Sequence, residues 1–337
     1  MDPVTHLTVG ALAAQFTRRW IPDSRALWPF CLIAAVLPDI DNFVGLWGGP
    51  HSYLLDHRGV THSVFGLAAM GVLLALAFRL ISCKMRLLVA LPAALFILTA
   101  HVFLDLITSY GTQLLAPFSD RRFSLDAVFI IDPVFTASLL IFVLLARLAR
   151  ERGFVFAAVG LLWIFAYPLT NMGVHDAVEA AAMRQARVRN PEARADVLPA
   201  PFAPVYWKVV VEDGDEYRAT TVNVLNPGKE YETVTLPRAA PELMRRLGRQ
   251  APLIETFAWF ARFPYLVEDV RHNGEKVLHI GDVRFHPVSP VMQAVRSGPP
   301  KMFTIRAVLD GNGELLRYSH RGRTYSPGAA ALPAPAP

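Results

Sequence analysis

The stretch 57–82, HRGVTHSVFGLAAMGVLLALAFRLIS, decides how this chain is read. A helix that crosses a bilayer needs about 20 mostly apolar residues. Residues 63–82 supply them, with Arg79 the one charge, close to the end. Directly before the run come two histidines five apart, His57 and His62. Ionisable groups near membrane depth are expensive and are kept where they pair or do work. The stretch therefore predicts a membrane helix that begins at a functional site.

The same pattern repeats outward in both directions. Residues 27–46, 87–107, 128–146 and 154–172 are further candidate spans. The opening stretch 4–16 (VTHLTVGALAAQF) is apolar but short, so it reads as a half-span or an interfacial helix. Span 27–46 carries Asp39 and Asp41, and span 87–107 carries His101 and Asp105. Residues 101 and 105 are four apart and share one helix face. Asp132 opens span 128–146, and Asp132-Pro133 also suits a helix N-cap.

Composition sets the frame. The chain has 337 residues, 53% hydrophobic and 18% charged, against about 25% charged in a soluble domain. The charge deficit falls almost entirely before residue 175. Beyond residue 205, runs such as VYWKVVVE, EYRATTVNVL, KVLHIGDVRF and MFTIRAVLD are β-branched and aromatic, with turn signals between them. Residues 240–262 are helical in pattern. The expected fold is a polytopic α-helical membrane bundle followed by a small soluble α+β domain. The expected divisions are a helical domain at 1–172, a polar helix and Pro/Ala linker at 173–204, the α+β domain at 205–326 and a disordered tail at 327–337.

The net charge of +5 does not point to nucleic acid, because no basic stripe is interleaved with aromatics. The cations instead gather at the ends of apolar runs, where Lys and Arg set orientation. Simple alternation puts Arg18, Arg19, Arg25, Arg79, Lys84, Arg86, Arg147, Arg150 and Arg152 on one side, against Arg58, Arg121 and Arg122 on the other. The richer side is expected to be cytoplasmic, with the C-terminal domain outside the cytoplasm. Arg184, Arg187 and Arg189, just after the last span, weigh against this. Met1-Asp2-Pro3 offers no basic leader region, so no cleavable signal peptide is expected. Cys31 and Cys83 have no CxxC partner, which gives no support for a disulfide framework or a thiolate metal site.

On this topology His6, Asp39, Asp41, His57, His62, His101, Asp105 and Asp132 all come to one end of the bundle, which random scatter would not do. Imidazole with carboxylate suits zinc, and also manganese or iron. A His/Asp set without thiolate is the catalytic rather than the structural pattern for zinc. The expected ligands are His6, Asp39, His57, His62, His101 and Asp105. Asp41 and Asp132 are candidates for a general base or for orienting a ligand, and Arg58 for positioning an anionic substrate group. His51 reads as solvated, and His175, His272, His279, His286 and His320 as ordinary residues.

The ordered strings Thr5-His6, Leu37-Pro38-Asp39-Ile40-Asp41, His57-Arg58-Gly59-Val60-Thr61-His62-Ser63, His101-Val102-Phe103-Leu104-Asp105, Tyr110-Gly111-Thr112 and Asp132-Pro133 resemble a family of bacterial inner-membrane metal-dependent hydrolases, also labelled LexA-binding. The resemblance covers roughly residues 1–172. It implies a multi-span inner-membrane protein with metal-dependent hydrolase activity and supplies no substrate. Location alone favours a phosphoester or lipid-linked substrate beside the lipid bilayer. The alternative is a non-enzymatic membrane metal-binding protein, either an ion carrier or a scaffold. A carrier would hold its ligands near the bilayer midplane rather than at one end.

Overall fold

The computed structural model describes residues 1–21, 24–149, 151–270, 275–295 and 303–328. Arg150, His272 and the tail from residue 329 lie outside the described residues. The chain divides into two compact units. The first holds residues 1–41, 58–175 and 201–204, and the second holds 42–57, 176–200 and everything from 205.

The first unit is helical. It contains α1 (Pro3–Thr17), α2 (Ser24–Val36), α4 (Val64–Ile81), α5 (Leu87–Leu106), α6 (Pro133–Leu148) and the start of α7 (Gly153–Arg189). Among the described residues, four helical segments are long and apolar enough to cross a membrane: Arg25–Phe43, Val64–Ile81, Leu87–Leu106 and Gly153–Arg189. Their outward faces are apolar, as lipid requires: Leu73, Leu80, Leu88 and Leu162 are all more than half exposed. Small residues line the inside. Ala13, Ala14, Ala34, Ala35, Ala90 and Ala94 pack with Phe30, Phe78 and Ile97 in one core. Gly10 marks a close approach of α1 to α2, because a Cβ there would come 2.8 Å from Ala35 Cβ and 2.9 Å from the Cys31 carbonyl.

Several boundaries differ from the sequence expectations, each for a local reason. The opening helix α1 is enclosed, with Thr5, His6, Val9, Leu12 and Ala13 buried, so it is a short packed helix rather than one lying in an interface. The span expected at 27–46 loses its α geometry at Pro38, runs through a 3-10 segment (Leu37–Phe43), and is followed by a separate helix, α3 (Val44–Asp56). The span expected at 128–146 starts only at Pro133 and is 16 residues long, because Asp132 caps it through Val134 N and Phe135 N, both at 3.0 Å. The last span does not stop at 172. It continues through Pro168 and the expected polar helix to Arg189 as one helix of 37 residues.

The second unit is built on two antiparallel sheets. One has the order β1 (Arg194–Pro199), β2 (Tyr206–Asp213), β3 (Glu216–Asn223), β4 (Val234–Pro237). The other runs β5 (Pro264–Val270), β6 (Lys276–Asp282), β7 (Thr304–Leu309), β8 (Leu315–His320), β9 (Arg323–Tyr325). Residues 194–199 are thus a strand within the stretch expected as polar helix and linker. Gly214 (φ +62°) and Gly313 (φ +83°) make the β2–β3 and β7–β8 turns. Leu198, Val210, Tyr217 and Ala219 of the first sheet share a core with Tyr265, Val283 and Val288 on the side of the second. Between the sheets in sequence lie α8 (Pro241–Gln250) and α9 (Pro252–Phe260), and α10 (Pro290–Val295) precedes β7. α3 packs on α9, and His51 Nδ1 meets Thr256 Oγ1 at 2.7 Å, so His51 is engaged rather than solvated.

Candidate metal centre

The centre is assembled from the end of α5, the 3-10 segment that follows α2 and the short 3-10 turn that precedes α4. His101 and Asp105 sit in the last turns of α5, buried on the same face. Asp39 and Asp41 lie on the 3-10 segment after α2. His62 ends a short 3-10 turn (Val60–His62) whose successor, Ser63, caps α4 by accepting from Gly66 N at 3.0 Å. Gly66 has to be glycine for this turn to fold back, since any Cβ there would collide with the Val60 carbonyl oxygen.

Four of these residues converge. Asp39, His62, His101 and Asp105 each offer an atom within 4.8 Å of the others, and the group could hold a metal ion. His101 Nδ1 lies 2.6 Å from the Ala35 carbonyl oxygen. A carbonyl only accepts, so Nδ1 carries a proton and Nε2 is the nitrogen turned toward the cluster. His62 is fixed in the same sense, with Nδ1 3.0 Å from Asp41 Oδ2 and 3.0 Å from Thr61 Oγ1. The two Nε2 atoms then face each other at 3.3 Å. Asp39 Oδ1 stands 3.7 Å from both, and Asp105 Oδ2 stands 3.0 Å from His62 Nε2 and 3.6 Å from His101 Nε2. Four electron-pair donors aimed at one point repel each other unless a cation lies between them. A proton can supply part of that charge. Burial opposes charge on His62, but Asp105 and Asp41 outweigh it and raise its pKa above the ordinary imidazole value. A divalent ion satisfies all four at once.

The surroundings hold this geometry in place. Asp41 Oδ2 accepts from Arg58 N at 2.9 Å and from Thr61 Oγ1 at 2.7 Å besides facing His62. Arg58 has φ 59°, a left-handed conformation that costs a non-glycine residue on the order of 1 kcal/mol or more. Its guanidinium reaches Asp105 Oδ1 at 2.8 Å, the Asp105 carbonyl at 3.1 Å and Thr108 Oγ1 at 2.9 Å, and the amino group of Met1 also meets Asp105 Oδ1. Gln113 N donates to the Arg58 carbonyl, so the loop after α5 clamps Arg58 from its other side. Arg58 also lies 4.8 Å over the Tyr110 ring, and Arg122 lies 5.1 Å from it.

The other expected residues divide. His6 is drawn in: its ring stacks on His101 at 3.8 Å, and Nε2 is 3.4 Å from Asp105 Oδ1. Both of its ring nitrogens are buried without a hydrogen bond, an orphaned donor set beside a cation site. His57 is buried but outside the converging four, and its ring stacks on Tyr53 at 4.9 Å. Asp132 is spent on its helix cap and on the Tyr167 hydroxyl at 3.2 Å. Burial raises its pKa, with the backbone and Tyr167 bonds opposing. Arg58 faces Asp105 directly. The residues that sequence reasoning passed over are Thr61, Thr108 and the Ala35 carbonyl. The last carries no side-chain signal at all, and Thr61 stood out only as part of the string from His57 to Ser63.

Apolar helices of membrane-crossing length around a buried His/Asp cluster define a membrane protein with a potential metal centre. The comparison with known families is specific on the first point: the chain belongs to the YdjM inner membrane protein family, whose model matches residues 1–174. It is also 30% identical over 139 residues to the uncharacterized protein YfhP of Bacillus subtilis (strain 168), a match covering 40% of this chain and 42% of that relative. The match thus spans less than half of the relative's length. No solved structure matches the chain.

Proposed function

We propose that this protein is a multi-pass inner-membrane hydrolase that works with a divalent metal, zinc in the first place, held by Asp39, His62, His101 and Asp105. The observation that carries the reading is the pair of imidazole nitrogens facing each other at 3.3 Å between two carboxylates, with each ring's other nitrogen committed elsewhere. A divalent ion there would polarise a carbonyl or phosphoryl oxygen and bring the pKa of a bound water to about 7. Asp41 fixes the tautomer and the ring angle of His62. Arg58 holds Asp105 and shields its charge. His6, beside Asp105 with no hydrogen bond of its own, is the group placed to hold or pass a proton. Asp39 is 20% exposed while its three companions are at most 1% exposed, so substrate approaches past Asp39.

That approach is apolar. Ile40, Val60, Val64, Phe65 and Phe118 are each more than half exposed around this end of the first unit. This supports a substrate with a lipid-linked part. The distribution of Lys and Arg supports placing this end, and the C-terminal domain, on the extracytoplasmic side.

Two measurements test the reading. Metal analysis of detergent-purified protein should give about one transition-metal ion per chain, and His101→Ala should remove most of it. A screen of phosphoester, ester and amide substrates should then find a turnover that the wild type has and His101→Ala lacks. Full metal retention in the variant would remove the site. Metal loss with no difference across every substrate class would leave the non-enzymatic metal-binding protein as the better account.

A further inference from the structure

A second site lies at the other end of the same helices. α1 and α2 run in opposite senses: His6 is near the start of α1 and Asp39 follows the end of α2, so the end of α1 and the start of α2 lie away from the histidine cluster. There, with the end of α6 and the start of α7, they border a half-open cavity of about 990 Å³. This is at the upper end of the range for small-molecule sites. Among the described residues, Arg18, Arg19 and Arg147 line it, against one acid, Glu151. The Arg19 guanidinium is held 4.8 Å over the Phe154 ring, which itself stacks on Phe16 at 4.7 Å. The cationic wall is continuous with an apolar rim, where Leu148 is 68% and Val155 54% exposed. Trp20 is 49% exposed and packs edge-on to Phe154, as an aromatic anchor does at a membrane surface.

We propose that this cavity binds the headgroup of an anionic phospholipid, with the phosphate among Arg18, Arg19 and Arg147 and the acyl chains along Leu148 and Val155. Arginines that serve only to orient a membrane protein need a loop, not a shared cavity. Here three arginines line one half-open space beside exposed apolar side chains. Basic pockets between membrane helices bind lipid headgroups by this chemistry, with forked guanidinium donors matching phosphate oxygens. A free phosphate would use the same cations but would gain nothing from the apolar rim, so the lipid is the better occupant. The site is independent of the metal centre and of whether that centre hydrolyses anything.

The full-length protein in a zwitterionic detergent would be titrated with phosphatidylglycerol, phosphatidylcholine and inorganic phosphate, following bound lipid by native mass spectrometry and thermal unfolding. Phosphatidylglycerol should bind at about one per chain and raise the unfolding midpoint. Arg18→Ala with Arg147→Ala should weaken it roughly 10- to 30-fold, the worth of two arginines near a membrane surface. Arg79→Ala with Arg86→Ala, at the ends of other helices and outside the cavity, should change it less than about twofold. Should the cavity double variant fail to fold, Arg147→Gln alone is expected to weaken binding at least about threefold. Unchanged binding in the cavity variants, equal loss in the control pair, or equal binding of phosphatidylcholine would each overturn the proposal. Inorganic phosphate matching phosphatidylglycerol at equal concentration would overturn the lipid as occupant.

Discussion

Lys208 in the sheet unit and His101 in the helical unit are both buried ionisable residues, and their surroundings differ in kind. Lys208 Nζ donates to three carbonyl oxygens, of Val283 at 3.0 Å, Arg284 at 2.8 Å and His286 at 2.8 Å. All three N–H bonds of an ammonium are used, and β2 is tied to the segment that leaves β6. His101 has one nitrogen satisfied and the other aimed at His62 Nε2, Asp39 and Asp105. A buried polar group whose bonds close on themselves holds a fold together. Buried acceptors that converge on one point leave room for a cation.

The largest expected effect tests the sheet side of that contrast. Lys208→Met strands three buried carbonyls and should destabilise the second unit by about 2–4 kcal/mol, read by chemical denaturation, while metal per chain stays at the wild-type level. A Lys208 variant that loses metal would blur the distinction between the two kinds of buried site.

A smaller effect sharpens the helical side. Asp41→Asn keeps a hydrogen-bond acceptor near His62 Nδ1 but removes the charge, so metal affinity should fall about 10- to 100-fold with the fold intact. Competition with a fluorescent chelator measures this. An affinity unchanged within twofold would mean that Asp41 does not orient His62.

A further pair of tests is in pH dependence, and the two regions should respond through different groups. In the helical unit a proton competes with the metal for His62, whose pKa is raised by Asp105 and Asp41 against the cost of burial. Metal affinity should therefore fall as the solution is acidified from pH 8, measured by dialysis against a weak chelator. In the sheet unit burial pushes Lys208 down to about 7, with Asp282 opposing. Between about 7 and 10.5 the unfolded chain then binds a proton that the folded one does not, so wild-type stability relative to Lys208→Met should rise with pH over that window. A flat difference would mean that the three carbonyls hold the proton on the amine.

Much of the helical unit was legible because lipid imposes one rule on every exposed side chain, and an apolar run reports it directly. The i,i+4 pair His101 and Asp105 was legible for the same reason, since a fixed helical pitch puts both on one face. Helix ends were less so. Asp132 could be a base or a cap from sequence, and its position over Val134 N and Phe135 N is a local geometry that spacing only suggests. Strands β4, β5, β8 and β9 and the 194–199 strand were not found, because short strands gain their stability from partners distant in sequence. Lys208 gave no signal, as a lone lysine in a β-branched run looks like any solvated edge residue.

The sequence by itself determined that apolar helices carry their histidines and aspartates to one end, because hydrophobic length and helical period are local properties. Only the tertiary structure decided which of them meet. Asp39, His62, His101 and Asp105 come from three separate chain segments, and His6 from a fourth. What brings them together is close packing at Gly10 and Gly66, the left-handed Arg58 bridging Asp41 and Asp105, and the Ala35 carbonyl that sets the His101 tautomer. Contacts of that kind join residues up to 66 positions apart, and no periodicity along the chain encodes them.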